Sequence, residues 1–226
     1  LHYPLRRQRQ MCIRDSSTCE RVSPMISILL YIVLGYLSGS ILFARIAAGL
    51  FHKNTILTES ADANPGTSNA FVYGGFWCGI FTLSGDLLKG FLPVYLFLHT
   101  QYASALPFSF LLAAPVLGHT FPIFYRFKGG KGIAVSFGCL LGLLPERLPV
   151  AILIFYFLFF TLILQIYPNF YRTLITYLCS AVTMNILLPD TGVILGFWFI
   201  TAILFWRFHI SSEKREEMRF TFLWKH

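Results

Sequence analysis

The sequence predicts an all-α, polytopic integral membrane protein, and three observations carry that prediction. Apolar residues make up 56% of the chain against 12% charged, and the mean hydropathy is +0.65. The apolar residues gather into about seven runs, most of them near the roughly 20 residues that a bilayer-crossing helix needs. Cations sit at the ends of those runs rather than along a polar face. The formal charge of +8 therefore reads as bias toward one membrane side, the lipid bilayer is the expected partner, and no nucleic-acid partner is expected.

Taken in order, residues 1–24 are polar, carry Arg6, Arg7, Arg9, Arg14 and Arg21, and lack the apolar stretch of a signal peptide. Within them, Met11-Cys12-Ile13-Arg14-Asp15-Ser16 resembles a translation of the adaptor DNA used in sequencing libraries. The segment is thus expected to be a non-native leader ahead of a start at Met25, with a disordered leader as the other reading. Residues 25–210 form the membrane domain, with spans expected at 26–50, 69–99, 105–121, 132–144, 149–166, 171–188 and 192–208. Gly85 and Pro93 are expected to kink or split the second span. The fourth is short, since a 13-residue helix rises only about 20 Å, so it is expected to be re-entrant or packed inside the protein. The tail 211–226 carries Met218, Phe222 and Trp224 among charges and suits either an interfacial anchor or a solvated end.

Seven crossings place the two ends on opposite sides. One choice gathers Lys53, Arg126, Lys128, Lys131, Arg172, Lys214, Arg215, Arg219 and Lys225 on one side and leaves only Arg147 on the other. The positive-inside rule makes the first side cytoplasmic, with Met25 outside and His226 inside. Cys78, Cys139 and Cys179 fall singly in apolar segments and read as small buried hydrophobes. No metal site and no cofactor are expected.

Two cytoplasmic loops concentrate the residues able to do chemistry. In Gly118-His119-Thr120-Phe121-Pro122-Ile123-Phe124-Tyr125-Arg126-Phe127-Lys128-Gly129-Gly130-Lys131-Gly132, glycines, cations and the start of an apolar helix coincide. Flexible backbone N–H groups, a helix N-terminus and a point charge together suit a phosphate, although a basic glycine hairpin would leave the same pattern. It is not a Walker A loop, because Lys131 is followed by Gly132. The first loop, Asn64-Pro65-Gly66-Thr67-Ser68-Asn69, favours a turn, with Thr67 or Ser68 capping a helix that begins near Asn69; the same N–H groups could meet an anion. His119 could serve as base, phosphate donor or interface anchor. Asp86 and Lys89 lie three apart and can pair inside a span, and Arg45 can snorkel to the interface.

The ordered set Gly39-Ser40, Asn64-Pro65-Gly66-Thr67-Ser68-Asn69, Asp86-Leu87-Leu88-Lys89-Gly90 and the run 118–134 resembles the bacterial acyl-phosphate:glycerol-3-phosphate acyltransferases, over about residues 25–210. That resemblance implies a seven-span inner-membrane transferase with its active site facing the cytoplasm. It would move a fatty acyl group from acyl phosphate to the 1-hydroxyl of glycerol 3-phosphate, giving lysophosphatidic acid. It further implies His119, Lys131 and Asn69 as catalytic candidates, and Gly129, Gly130, Gly132, Lys128, Asn64, Gly66, Ser68 and Arg45 around the phosphates. Asp62, Asp86, Lys89 and His209 are further candidates. The chain departs from the family pattern at Ala61-Asp62, where Gly-Ser is usual, and at Val72, where an arginine is usual. Leu42 replaces a proline, and no asparagine follows Arg207-Phe208-His209. None of the histidines has the His-x4-Asp spacing of the unrelated acyltransferase class. A transporter of a phosphorylated metabolite, or a non-catalytic relative that binds a phosphate ligand, would fit the same two loops.

Overall fold

The computed structural model describes residues 24–53, 55–58, 66–100, 104–211 and 217–222. In chain order the helices are α1 (Pro24–Gly39), α2 (Phe43–Leu50), α3 (Thr55–Thr58), α4 (Thr67–Gly74), α5 (Phe76–Thr100) and α6 (Ala105–Thr120). There follow α7 (Ile133–Leu141), α8 (Leu148–Leu158), which widens into a π-helical turn over Phe159–Ile163, α9 (Asn169–Leu187) and α10 (Thr191–Ile210). Among the described residues, four segments have the length and apolarity to cross a membrane: Met25–Leu50, Phe76–His99, Ala105–Tyr125 and Thr191–Ile210.

Close crossings set how the helices lie, and they use missing side chains. A Cβ on Gly39 would overlap the Pro115 carbonyl and one on Gly118 the Tyr36 carbonyl, so α1 and α6 touch backbone to backbone; Gly35 lies against Ala114 and Ser40, just past α1, accepts from the Ile123 N–H just past α6 at 3.4 Å, so the two helices run the same way. Gly90 and Gly138 do the same for α5 and α7. Lipid tails are as apolar as leucine, so such van der Waals contact is what draws membrane helices together. Gly192, at the start of α10, lies on Ala105 at the start of α6, and Asp190 caps α10 by accepting from the N–H groups of Gly192 and Val193 at 2.7 and 3.1 Å. Phe170 of α9 meets Phe208 of α10 edge to face, 5.2 Å between centroids, so α9 runs opposite to α10. The glycine run joins the end of α6 to the start of α7, so α6 and α10 end where α7 and α9 begin, and α1 runs opposite to α5, with Tyr31 on Phe97 and Ser38 on Lys89. Tyr177 stacked on Phe197 at 5.6 Å marks the core between α9 and α10.

Several expectations are corrected. The second span is split at Gly75, whose φ of +85° is open to glycine, while α5 runs unbroken through Gly85 and Pro93; Gly85 instead makes room for the Phe43 ring. The first span is broken between Ser40 and Leu42, giving α1 and α2. The helix of the first loop begins at Thr67, not near Asn69, with Gly66 as its N-cap and no side-chain cap. An all-α chain is also not quite what forms. Leu164–Tyr167, expected at the end of a span, pairs antiparallel with Arg219–Phe222 of the tail in the register Leu164 to Phe222 and Tyr167 to Arg219. The fourth span is reduced to nine helical residues, with Val135, Ser136, Gly138, Cys139 and Leu140 buried. Cys78 and Cys139 are buried free thiols.

Candidate active site

The glycine run leaves α6 at Thr120, makes one 3-10 turn over Ile123–Tyr125 and reverses through Arg126 and Phe127, whose φ values of 52° and 59° are both left-handed. That conformation costs a side-chain-bearing residue about 1–2 kcal/mol. The return is secured when Phe127 donates its N–H to Pro122 O at 2.9 Å and Gly130 donates to His119 O at 3.0 Å. Each glycine then answers a different need. Gly132 has φ +81° and opens α7; a side chain on Gly129 would overlap the His119 carbonyl, and one on Gly130 the His119 ring.

Other elements converge on this loop. Arg207, in the last turn of α10, donates from Nη2 to Gly129 O at 2.9 Å and from Nε to Gly130 O at 3.3 Å. Lys131 places its ammonium 5.8 Å from the Phe208 ring centre. Arg45 of α2 lies 5.1 Å over the Tyr125 ring, and its Nε is buried with no hydrogen-bond partner among the described residues. Lys128 is exposed, as is His209 on α10. Gly66 caps α4, Ser68 on its first turn is exposed and Asn69 half-buried; Asn64 and Asp62 lie outside the described residues.

Beneath the loop, Asp86, Lys89 and His119 come together in the interior, each no more than 4% exposed. Lys89 Nζ is 2.8 Å from Asp86 Oδ1 and 2.8 Å from His119 Nδ1. An ammonium can only donate, so Nδ1 accepts and the neutral ring carries its proton on Nε2, which faces Gly130. The histidine thus presents an N–H to the loop rather than a lone pair.

Beside the loop, α1, α6 and α10 enclose an apolar groove of about 680 Å³, lined by Leu29, Val33, Tyr36, Phe110, Leu117 and Trp206 among others. Its loop end is well defined. Tyr36 donates its hydroxyl to Phe121 O at 2.9 Å, and Trp206 lies 5.3 Å from the Phe121 ring.

Arg207, Thr67 and Tyr36 were not among the candidate site residues read from the sequence. Arg207 left a signal, as a cation one turn from the end of an apolar run beside His209. Thr67 was read as a cap, yet its hydroxyl reaches Asp86 Oδ2 at 3.2 Å. Tyr36 left none.

This geometry can be set beside known proteins. A family profile described as glycerol-3-phosphate acyltransferase matches residues 29–215. The chain is 32% identical over 190 residues to a glycerol-3-phosphate acyltransferase of Methylobacillus flagellatus, covering 81% of this chain and 91% of the relative. It is 33% identical over 201 residues to one of Lactococcus lactis, covering 84% and 90%. Its fold is similar to a crystal structure of PlsY (YgiH), an integral membrane glycerol 3-phosphate acyltransferase in its glycerol 3-phosphate form, with TM-score 0.70 and 25% identity over 81% of this chain and 88% of that one. With the profile spanning both loops and α10, and two relatives aligned over nearly their full length, the chain belongs to the glycerol-3-phosphate acyltransferase family.

Proposed function

We infer that this membrane enzyme moves a fatty acyl group from acyl phosphate to the 1-hydroxyl of glycerol 3-phosphate, giving lysophosphatidic acid for phospholipid synthesis. One observation carries the reading: the basic glycine loop and the apolar groove meet at Tyr36, Phe121 and Trp206. A phosphate in the loop and an acyl chain in the groove would share one junction, where an acyl phosphate has its reactive carbonyl.

An acyl phosphate is a mixed anhydride, so the protein must chiefly hold two anionic substrates together and offset their charge. Lys131, with the N–H groups of Gly129 and Gly132, meets one phosphate, and the donating capacity left on Arg45 Nε suits an oxyanion nearby. Lys128, Gly66, Ser68, Asn69 and Asn64 complete the surround. The hydroxyl oxygen attacks the acyl carbon, the carbon–oxygen bond to phosphate breaks, and the departing phosphate takes the hydroxyl proton. His119 is a poor base in this arrangement, because Nδ1 already accepts from Lys89.

The alternation of helix direction along the chain supports seven crossings. Lys53, Arg126, Lys128, Lys131, Arg172, Arg207 and Arg219 sit toward one end of the bundle and Arg147 toward the other, which supports a cytoplasmic site in the inner membrane.

The full chain reconstituted in vesicles with palmitoyl phosphate and labelled glycerol 3-phosphate should yield labelled lysophosphatidic acid. A well-folded sample that makes none would sink the enzyme reading.

A further inference from the structure

Asp86, Lys89 and His119 lie in the interior, where charge is expensive, yet they touch neither the groove nor the exposed part of the loop. An ion pair buried this deeply is weak evidence for stability, since well-packed apolar residues often do as well. Its geometry is more telling. Lys89 Nζ ties three elements together: it donates to His119 Nδ1 at 2.8 Å on α6 and to Ile41 O at 2.6 Å, and it forms an ion pair with Asp86 Oδ1 at 2.8 Å on its own helix α5. The Ile41 carbonyl is available because the helix is broken between α1 and α2. Ser38, just before the break, donates back to Lys89 O at 3.1 Å.

Both ends of this cluster reach a loop. Asp86 Oδ2 accepts from the hydroxyl of Thr67, the first residue of α4, at 3.2 Å. His119 accepts the Gly130 N–H on its carbonyl at 3.0 Å, and its ring fills the space that a side chain at Gly130 would take. A continuous polar path therefore runs from Thr67 through Asp86, Lys89 and His119 to Gly130.

We propose that Asp86, Lys89 and His119 are positioning residues, a chain centred on Lys89 that holds the first-loop helix α4 and the glycine loop in fixed relation. The proposal rests on the reading above that these two loops surround the phosphate-bearing substrates. In a buried network such bonds are strong and directional, so the relation they set is stiff. Stiffness matters because two bound substrates must meet in one geometry, and a misplacement of about 1 Å can cost about 10²-fold in rate.

The test measures the loop relation directly. In the full chain, with native cysteines replaced by serine, spin labels at Val72→Cys on α4 and Phe124→Cys in the glycine loop should give a narrow distance distribution. Lys89→Met, which keeps the stem and removes the charge, should broaden it and lower kcat/KM for glycerol 3-phosphate by about 10²-fold. Thr67→Val removes only the terminal link and should broaden the distribution too, while Thr67→Ser restores its width; this pair decides the matter if Lys89→Met does not fold. Unchanged widths in Lys89→Met and Thr67→Val would overturn the proposal. The two readings fail separately: an unsubstituted chain that makes no lysophosphatidic acid removes the acyltransferase reading, while the distances still judge the chain of residues.

Discussion

Lys131 and the glycines around it divide the work of the loop between charge and shape. Gly129 and Gly130 are required by the His119 carbonyl and ring that occupy their side-chain space, and only Gly132 is required by its backbone angle. Lys131 is then the cation that this shape delivers. A hydrogen bond to a charged group contributes about 1.5–3 kcal/mol, so Lys131→Ala should raise KM for glycerol 3-phosphate or acyl phosphate roughly 10- to 100-fold. Its thermal unfolding midpoint should stay within a degree or two of the parent, because the side chain is half-exposed; equal losses of stability and activity would count against the role. The glycine run was readable as a tight basic turn from residue types alone. Its closure by Arg207 was not, because the sequence separation of 77 between Gly130 and Arg207 hides the contact from any local pattern.

The helices owe their placement to their smallest residues. At Gly118 an added methyl would press on the Tyr36 carbonyl, whereas at Gly49 of α2 nothing lies within 4 Å. Gly118→Ala should therefore destabilise by about 1–3 kcal/mol through overpacking, and Gly49→Ala should stabilise by about 0.4–1 kcal/mol through the unfolded chain and the helix. Thermal unfolding of both in one detergent gives the comparison, and the same sign for both would refute the crossing argument. The spans were legible as apolar runs, but their breaks were misjudged. Pro93 sits inside α5 without ending it, as membrane helices allow when neighbours meet the freed backbone groups. Gly75, one glycine of a Gly-Gly pair, makes the break instead.

For the molecule as a whole, the groove and the orientation give the decisive tests. Ala202 lines the groove on α10, so Ala202→Trp should shift donor preference toward shorter acyl phosphates with little change in KM for glycerol 3-phosphate. Competition between palmitoyl and decanoyl phosphate reads that shift; an unchanged ratio would place the acyl chain elsewhere. For orientation, Lys53→Cys and Lys128→Cys should react with a membrane-impermeant maleimide only from the cytoplasmic side, and Arg147→Cys only from the opposite side. Deleting residues 1–24 should leave lysophosphatidic acid synthesis intact, as the leader reading requires.

What the sequence determined by itself is the membrane class, the apolar runs from which the helices form, the family and a glycine loop rich in cations. Hydropathy, charge at helix ends and turn chemistry act over a few residues, so they can be read from neighbours in the chain. Only the tertiary structure decided that Lys89 joins Ile41, Asp86 and His119, that Arg207 clamps the glycine loop and that the groove opens beside it. Those contacts depend on where helices cross, and the crossings depend on matched gaps such as Gly39 against Pro115 and Gly138 against Leu87. Each gap is a property of two distant segments together, and neither segment carries it alone.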